Sequence, residues 1–223
     1  RVEAEAVTIQ GSVGSFATKV EDIGNPAVED IELSQLGVAF ESEYKLADDK
    51  LTVGLDAGFA SGDDYARWGL RPGTGQLAGG SRDAGDTRQF GCRDSAQAND
   101  ARDCTDLDKT INNFRFDPAY RVDQIMFREV IGGITDAWYL KPHAAYNVNA
   151  FTQLHAAAVY GQAVHAASTP GGETPLGVEL DLGLKTRLKN RFGVGVDYAL
   201  LFPLAGLKFQ VPGGTTLDAS QGQ

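Results

Sequence analysis

Between Leu176 and Phe202 apolar and polar residues alternate almost one for one. Leu176, Val178, Leu180, Leu182 and Leu184 recur at every second position. Past the polar pair Lys189 and Asn190 the rhythm resumes with Phe192, Val194, Val196, Tyr198, Leu200 and Phe202, while Glu179, Asp181, Lys185, Arg187 and Asp197 sit between. Side chains of a β-strand point to opposite faces in turn, so a period of two predicts two long strands joined by a tight turn. One face of such a ribbon is oily and the other ionised. The architecture depends on which of the two meets water.

The same rhythm recurs along the chain. Residues 31–46 place Leu36, Val38, Phe40, Tyr44 and Leu46 on one face and Gln35, Glu41, Glu43 and Lys45 on the other. After a turn at 47–50, residues 51–61 oppose Leu51, Val53, Leu55, Ala57 and Phe59 to Thr52 and Asp56. Residues 134–148 set Ile134, Asp136, Trp138, Leu140, Pro142, Ala144, Tyr146 and Val148 against Thr135, Tyr139, Lys141, His143 and Asn147. Residues 151–161 set Leu154, Ala156, Ala158 and Tyr160 against Gln153 and His155. Residues 1–13 read as a strand that changes register, since Val2, Ala4 and Ala6 alternate with Glu3 and Glu5 before Val7 and Ile9 switch face. Pro142 lies inside its strand and cannot donate to a ladder, so a bulge or break is expected there.

Globular strands average about 5–6 residues, and these runs are far longer. Connections are short near 47–50, 147–150 and 189–190, and long near 14–30, 62–133, 162–175 and from 203 onward. Short turns at one end and long loops at the other are the layout of an antiparallel up-and-down transmembrane β-barrel. The expectation is therefore an all-β chain: one partial barrel domain over 1–223 with long extracellular loops. A soluble, lipocalin-like barrel around a lipophilic ligand is the alternative, because it shows the same alternation turned inside out.

Placement of the aromatic residues separates the two. Trp138 and Tyr146 share a face at a spacing worth ~20 Å of height, and Phe192 and Phe202 bracket ~25 Å, the separation of aromatic girdles at the two edges of a bilayer. Phe40 and Tyr198, which fall between those levels, suit an ordinary core better. The ionised face carries both signs and is interleaved with Gly54, Gly58, Gly183, Gly193 and Gly195. A water-filled bore tolerates that mixture, whereas glycine weakens an exposed strand with no return. Lipid-facing apolar residues are the expectation. The lumen-lining set is then Glu41, Glu43, Lys45, Asp56, Lys141, His143, His155, Glu179, Asp181, Lys185, Arg187 and Asp197.

Bulk properties bound the rest. No run of eighteen apolar residues exists and mean hydropathy is -0.23, which excludes a transmembrane helix but not a membrane barrel. A net charge of -10 argues against nucleic acid as a partner. The chain opens on Arg1 and closes on the polar run TTLDASQGQ, as expected of a mature or trimmed piece of a longer protein. Cys92 and Cys104 lie in a Gly/Asp/Arg-rich loop. In an oxidising compartment they would close a disulfide worth ~2–3 kcal/mol; in the cytosol they would be free thiols.

The run NFRFDPAYRVDQIMFREVIGGITDAWYLKPHAAYNV, residues 113–148, resembles part of an uncharacterised outer-membrane β-barrel family of proteobacterial, myxobacterial type, similar in style to alginate-export porins. The matching elements are Phe116-Asp117-Pro118, Tyr120-Arg121-Val122-Asp123, Phe127-Arg128-Glu129, Ile134-Thr135-Asp136-Ala137 and Tyr139-Leu140-Lys141-Pro142, and they span about a sixth of the chain. What the resemblance implies is a large single-chain barrel seated in the bacterial outer membrane. Members are longer and end in a closing strand with a terminal aromatic. This chain lacks that ending, and its seven strand-like segments are odd in number where bacterial barrels use even counts, so a fragment is expected.

No catalytic constellation, cofactor or metal is expected. GxSxG, HExxH and phosphate-loop patterns are absent. His143 and His155 could meet across their hairpin beside Glu179 or Asp181, though scattered lumen residues are the simpler reading. Asp63, Asp64, Asp106 and Asp108 lack the spacing of a calcium loop, and Arg67, Arg71, Arg82, Arg88, Arg93 and Arg102 could pin the same loop by salt bridges. One short helix is expected near 118–131, inside the long 62–133 loop, with Asp117 as N-cap, Pro118 in the first turn and Gly132-Gly133 as stop. A strand through 120–127 is its rival. The helix could narrow a pore, or sit on the rim as a lid. The functional expectation is a porin-like channel, not an enzyme, for small polar or anionic solutes. Lys141, Lys185 and Arg187 would oppose Glu41, Glu43, Glu179 and Asp181 across it. A structural or adhesion barrel without conductance is the remaining possibility.

Overall fold

Seven long strands build one antiparallel sheet in the computed structural model, which describes residues 1–13, 31–62, 110–187, 192–210 and 216–217. They are β1 (Val2–Val13), β2 (Ile31–Leu46), β3 (Leu51–Ala60), β5 (Ala137–Asn147), β6 (Thr152–Ala163), β7 (Pro175–Arg187) and β8 (Gly193–Pro203). Each pairs with the next in that order. The two-residue strand β4 (Thr110–Ile111) adds to β2 in parallel. The described helical structure is confined to three short turns: a π-helical one at Met126–Ile131 and 3-10 turns at Ala166–Ser168 and Ala205–Leu207. The sheet is open, with β1 and β8 as its edges.

The up-and-down order puts the short connections after β2, β5 and β7 at one end and the long ones at the other. The β2–β3 turn is tight enough to force Ala47, Asp48 and Asp49 to φ of 53°, 53° and 63°, a left-handed run that aspartate tolerates better than alanine. The turn at Lys189 and Asn190 lies outside the described residues.

Strand registry sorts the side chains into the two expected faces, and the apolar one is exposed. Leu182 is 54%, Val196 60% and Tyr198 58% exposed. Trp138, Tyr146, Phe192 and Phe202 belong to the same side by parity. On β2 this face is apolar from Leu36 to Leu46 apart from Ser42, which is ~25 Å of height at a ~40° tilt. Polar residues mark its limits. Thr152 and Thr186 share a hydrogen bond at the short-turn end, and Gln162 bonds Tyr160 at the other. Beyond Leu36 the polarity inverts: Thr8, Gln10, Ser12, Glu32 and Ser34 take the formerly apolar side, and Val7, Ile9 and Leu33 the formerly polar one. That inversion explains the switch within residues 1–13.

The polar face is the covered one. Residues 112–136, here called the strap, lie across its half nearest the long connections. The strap buries Val122, Met126, Phe127, Ile131 and Ile134 with Tyr139, Val159, Ala137 and Ala163 from the sheet. This is the core of the molecule.

Three local expectations are corrected. The helix over 118–131 shrinks to Met126–Ile131, because Asp117 caps only a turn (Ala119 N–H to Oδ1, 2.7 Å) and residues 120–125 stay irregular, bending at 124–125 where Glu179 takes their N–H groups. The strand expected over 134–148 starts at Ala137; Asp136, at φ 47°, is fully buried instead of sharing the apolar face. Leu176 is fully buried too, since a register shift at Gly161/Gln162 makes it the extra residue of a bulge. At Pro142 the ladder to β3 continues while the pairing with β6 skips Lys141 and Pro142, the break that a missing N–H requires.

Candidate functional site: the covered polar face

Cross-strand registry fixes which polar groups are neighbours. One row runs Glu41–Asp56–Lys141 and continues with Val159–Glu179. The next runs Glu43–Gly54–His143–Ala157–Asp181, and the third carries His155, Gly183 and Asp197. The glycines are seats for large neighbours. A Cβ on Gly54 would stand 2.3 Å from the His143 ring, one on Gly58 2.3 Å from Tyr139, and one on Gly183 2.2 Å from His155. On the strap side, Phe114 lies over Gly37, and Met126 and Phe127 over Gly161. Glycine here costs strand propensity and gains a flat-lying partner.

Charges on this face are largely paired. Asp56 holds both Lys141 Nζ (3.4 Å) and His143 Nε2 (3.2 Å). His155 Nε2 meets Asp197 at 2.9 Å. The expected meeting of His143 with His155 does not occur; His143 binds Asp56 on the adjacent strand β3, and His155 reaches across Gly183 of β7 to Asp197 on β8. Lys45 pairs with Asp49 at the turn, and Arg1 with Glu3, with Glu41 and Glu43 within 3.7 and 3.9 Å. Lys185 and Arg187, both exposed, have no partner among the described residues.

Glu179 anchors the strap. Fully buried, its carboxylate accepts hydrogen bonds from the backbone N–H groups of Gln124, Ile125 and Met126 at 2.8, 2.8 and 2.7 Å. Asp123 takes the next two, from Phe127 at 2.5 Å and Arg128 at 3.2 Å. Two carboxylates therefore satisfy five successive donors at the start of the π-helical turn, where the helix supplies no acceptors. Burial pushes the Asp123 carboxyl up to about 7, opposed by the N–H of Phe127 and raised further by the charge of Glu179. Asp181, only 6% exposed, lies beside Glu179, and its Oδ1 finds no hydrogen-bond partner among the described residues. Tyr120 closes the other flank. Its hydroxyl lies 2.8 Å from that of Tyr139 and 3.4 Å from Glu41. Between β1 and the strap remains a cavity of about 260 Å³ beside Glu5, Val7, Phe114 and Phe116.

A second polar knot ties the loops at the strap's exit. Asp136 accepts from the Ser168 hydroxyl, and its Oδ1 lies 2.8 Å from His165 Nδ1. Its burial pushes the carboxyl up to about 6, against the pull of those two partners. The serine bonds the carboxylate and not the imidazole, so no nucleophile–base pair forms. Sequence reading missed this knot, the strap's anchor on Glu179 and the role of Asp123. Only the alternation break at Asp136, an acid among apolar positions, offered a signal.

Among the described residues no group of three or more His, Cys, Asp or Glu side chains has metal-holding geometry. Cys92, Cys104, the acids Asp63, Asp64, Asp106 and Asp108 and the loop arginines lie outside the described residues. No family model matches this chain, and no curated protein matches it.

Proposed function

We propose that this sheet is the wall of a β-barrel in the bacterial outer membrane, porin-like, giving small polar solutes passive passage along its polar face while the strap narrows the way. The carrying observation is the polarity arrangement. An exposed apolar band ~25 Å tall is bounded by polar residues at both ends, and beyond its upper limit the sheet inverts. Water penalises such a band, and acyl chains do not. A lipocalin-like barrel needs the apolar residues on the covered face, and the arrangement speaks against it.

A filled, non-conducting barrel is the second reading, favoured by the strap's buried cluster of Met126, Phe127 and Tyr139. Reconstitution separates the readings. Detergent-dependent solubility, heat-modifiable gel migration and discrete conductance steps in planar bilayers support a pore. The first two without conductance support the filled barrel, and solubility without detergent would overturn both.

A further inference from the structure

We propose that the passage along the polar face prefers cations over anions, with the unpartnered Oδ1 of Asp181 as the point of strongest attraction. This rests on the porin-like reading above. Around the strap's anchor, the carboxyls of Glu41, Asp56, Asp123, Glu179 and Asp181 face two fixed cations among the described residues, Lys141, already held by Asp56, and Arg1, 3.7 Å from Glu41 and paired with Glu3, together with one imidazole, His143. The carboxyls outnumber the cations there.

The second observation is independent of that count. Asp181 is more than nine-tenths buried, and its Oδ1 has no hydrogen-bond partner among the described residues. A buried polar atom left open is costly and is ordinarily met by water or a counter-ion. The opposing cations, Lys185 and Arg187, are exposed at the short-turn end of β7. Bulk water and salt screen charges there, whereas the anchor cluster lies among Tyr139, Phe127 and Met126, where the effective dielectric is low. The less screened field sets the sign of the passing ion.

The test is the zero-current potential of the reconstituted full chain in planar bilayers under a tenfold KCl gradient. The expected result is a K⁺/Cl⁻ permeability ratio of several-fold, lowered at least twofold by D181N and raised by K141Q. A conducting protein with a ratio at or below one overturns the inference and leaves the porin reading standing. A ratio above one that D181N leaves unchanged overturns the assignment to Asp181. A protein that inserts without conducting removes the porin reading and this inference together.

Discussion

Glu179→Ala strands three backbone donors at once. The N–H groups of Gln124, Ile125 and Met126 lose the acceptor that they have among the described residues. An orphaned buried donor costs about 1–3 kcal/mol, so the gross penalty is on the order of 3–9 kcal/mol. Two effects offset it: water entering the vacated volume, and relief of repulsion with Asp123 and Asp181. A net loss of about 3 kcal/mol remains, which raises the undocked population of the strap ~100-fold. Hydrogen exchange read at residues 124–128, in protein held in lipid, gives that population directly. The control is Glu43→Ala, on the same face but without a hydrogen bond to the strap among the described residues. If exchange at 124–128 changes by less than threefold in Glu179→Ala, the carboxylate is not the anchor and the capping argument is wrong.

Other expectations follow from the same geometry. Asp123 binds its proton more tightly in the folded chain, at about 7, than an ordinary carboxyl near 3.8. Its contribution to docking is therefore full below pH ~4 and is lost as pH rises through about 7, Glu179, Asp181 and Lys141 being the charges that face it. Exchange at 124–128, corrected for intrinsic rates, should speed up from pH 5 to pH 8, and Asp123→Asn should flatten that dependence. Gly161→Val places a Cβ 2.7 Å from the Met126 methyl and 2.9 Å from the Phe127 ring. It should free the strap to proteolysis while circular dichroism retains the sheet; an unchanged cleavage rate would refute the seating. Leu182→Arg, mid-band on the apolar face, should destabilise the lipid-embedded protein by about 2–4 kcal/mol in a denaturant titration, whereas a water-facing position would register almost nothing.

The strands were legible because alternation is local: each run announces its own period, and registry then follows from keeping one face apolar. Even the Pro142 break could be foreseen, since a missing N–H is a property of one residue. The strap was not legible. Pro118 and the apolar spacing of Val122, Ile125 and Met126 argue for a helix, and the chain stays irregular before Met126 because Glu179, some 55 residues away, supplies the acceptors that a helix would have supplied itself. Leu176 misled for a similar reason: its alternation is regular, and the bulge that buries it arises from pairing with Gly161 and Gln162 on the neighbouring strand. The histidines were placed on the correct face but with the wrong partners, since which aspartate each finds depends on register and not on spacing within one hairpin.

Contact of the apolar face with hydrocarbon, and of the polar face with water, can be read residue by residue. Single cysteines at Leu180, Leu182 and Val196, and at Lys185 and Asp197 on the other face, introduced with Cys92 and Cys104 replaced by serine and each carrying an environment-sensitive fluorophore, report it after reconstitution into vesicles containing bromine-labelled acyl chains. Strong quenching and blue-shifted emission at the first three, with neither at the last two, is the predicted result. Equal quenching on both faces, or quenching at Lys185 and Asp197 alone, would contradict it.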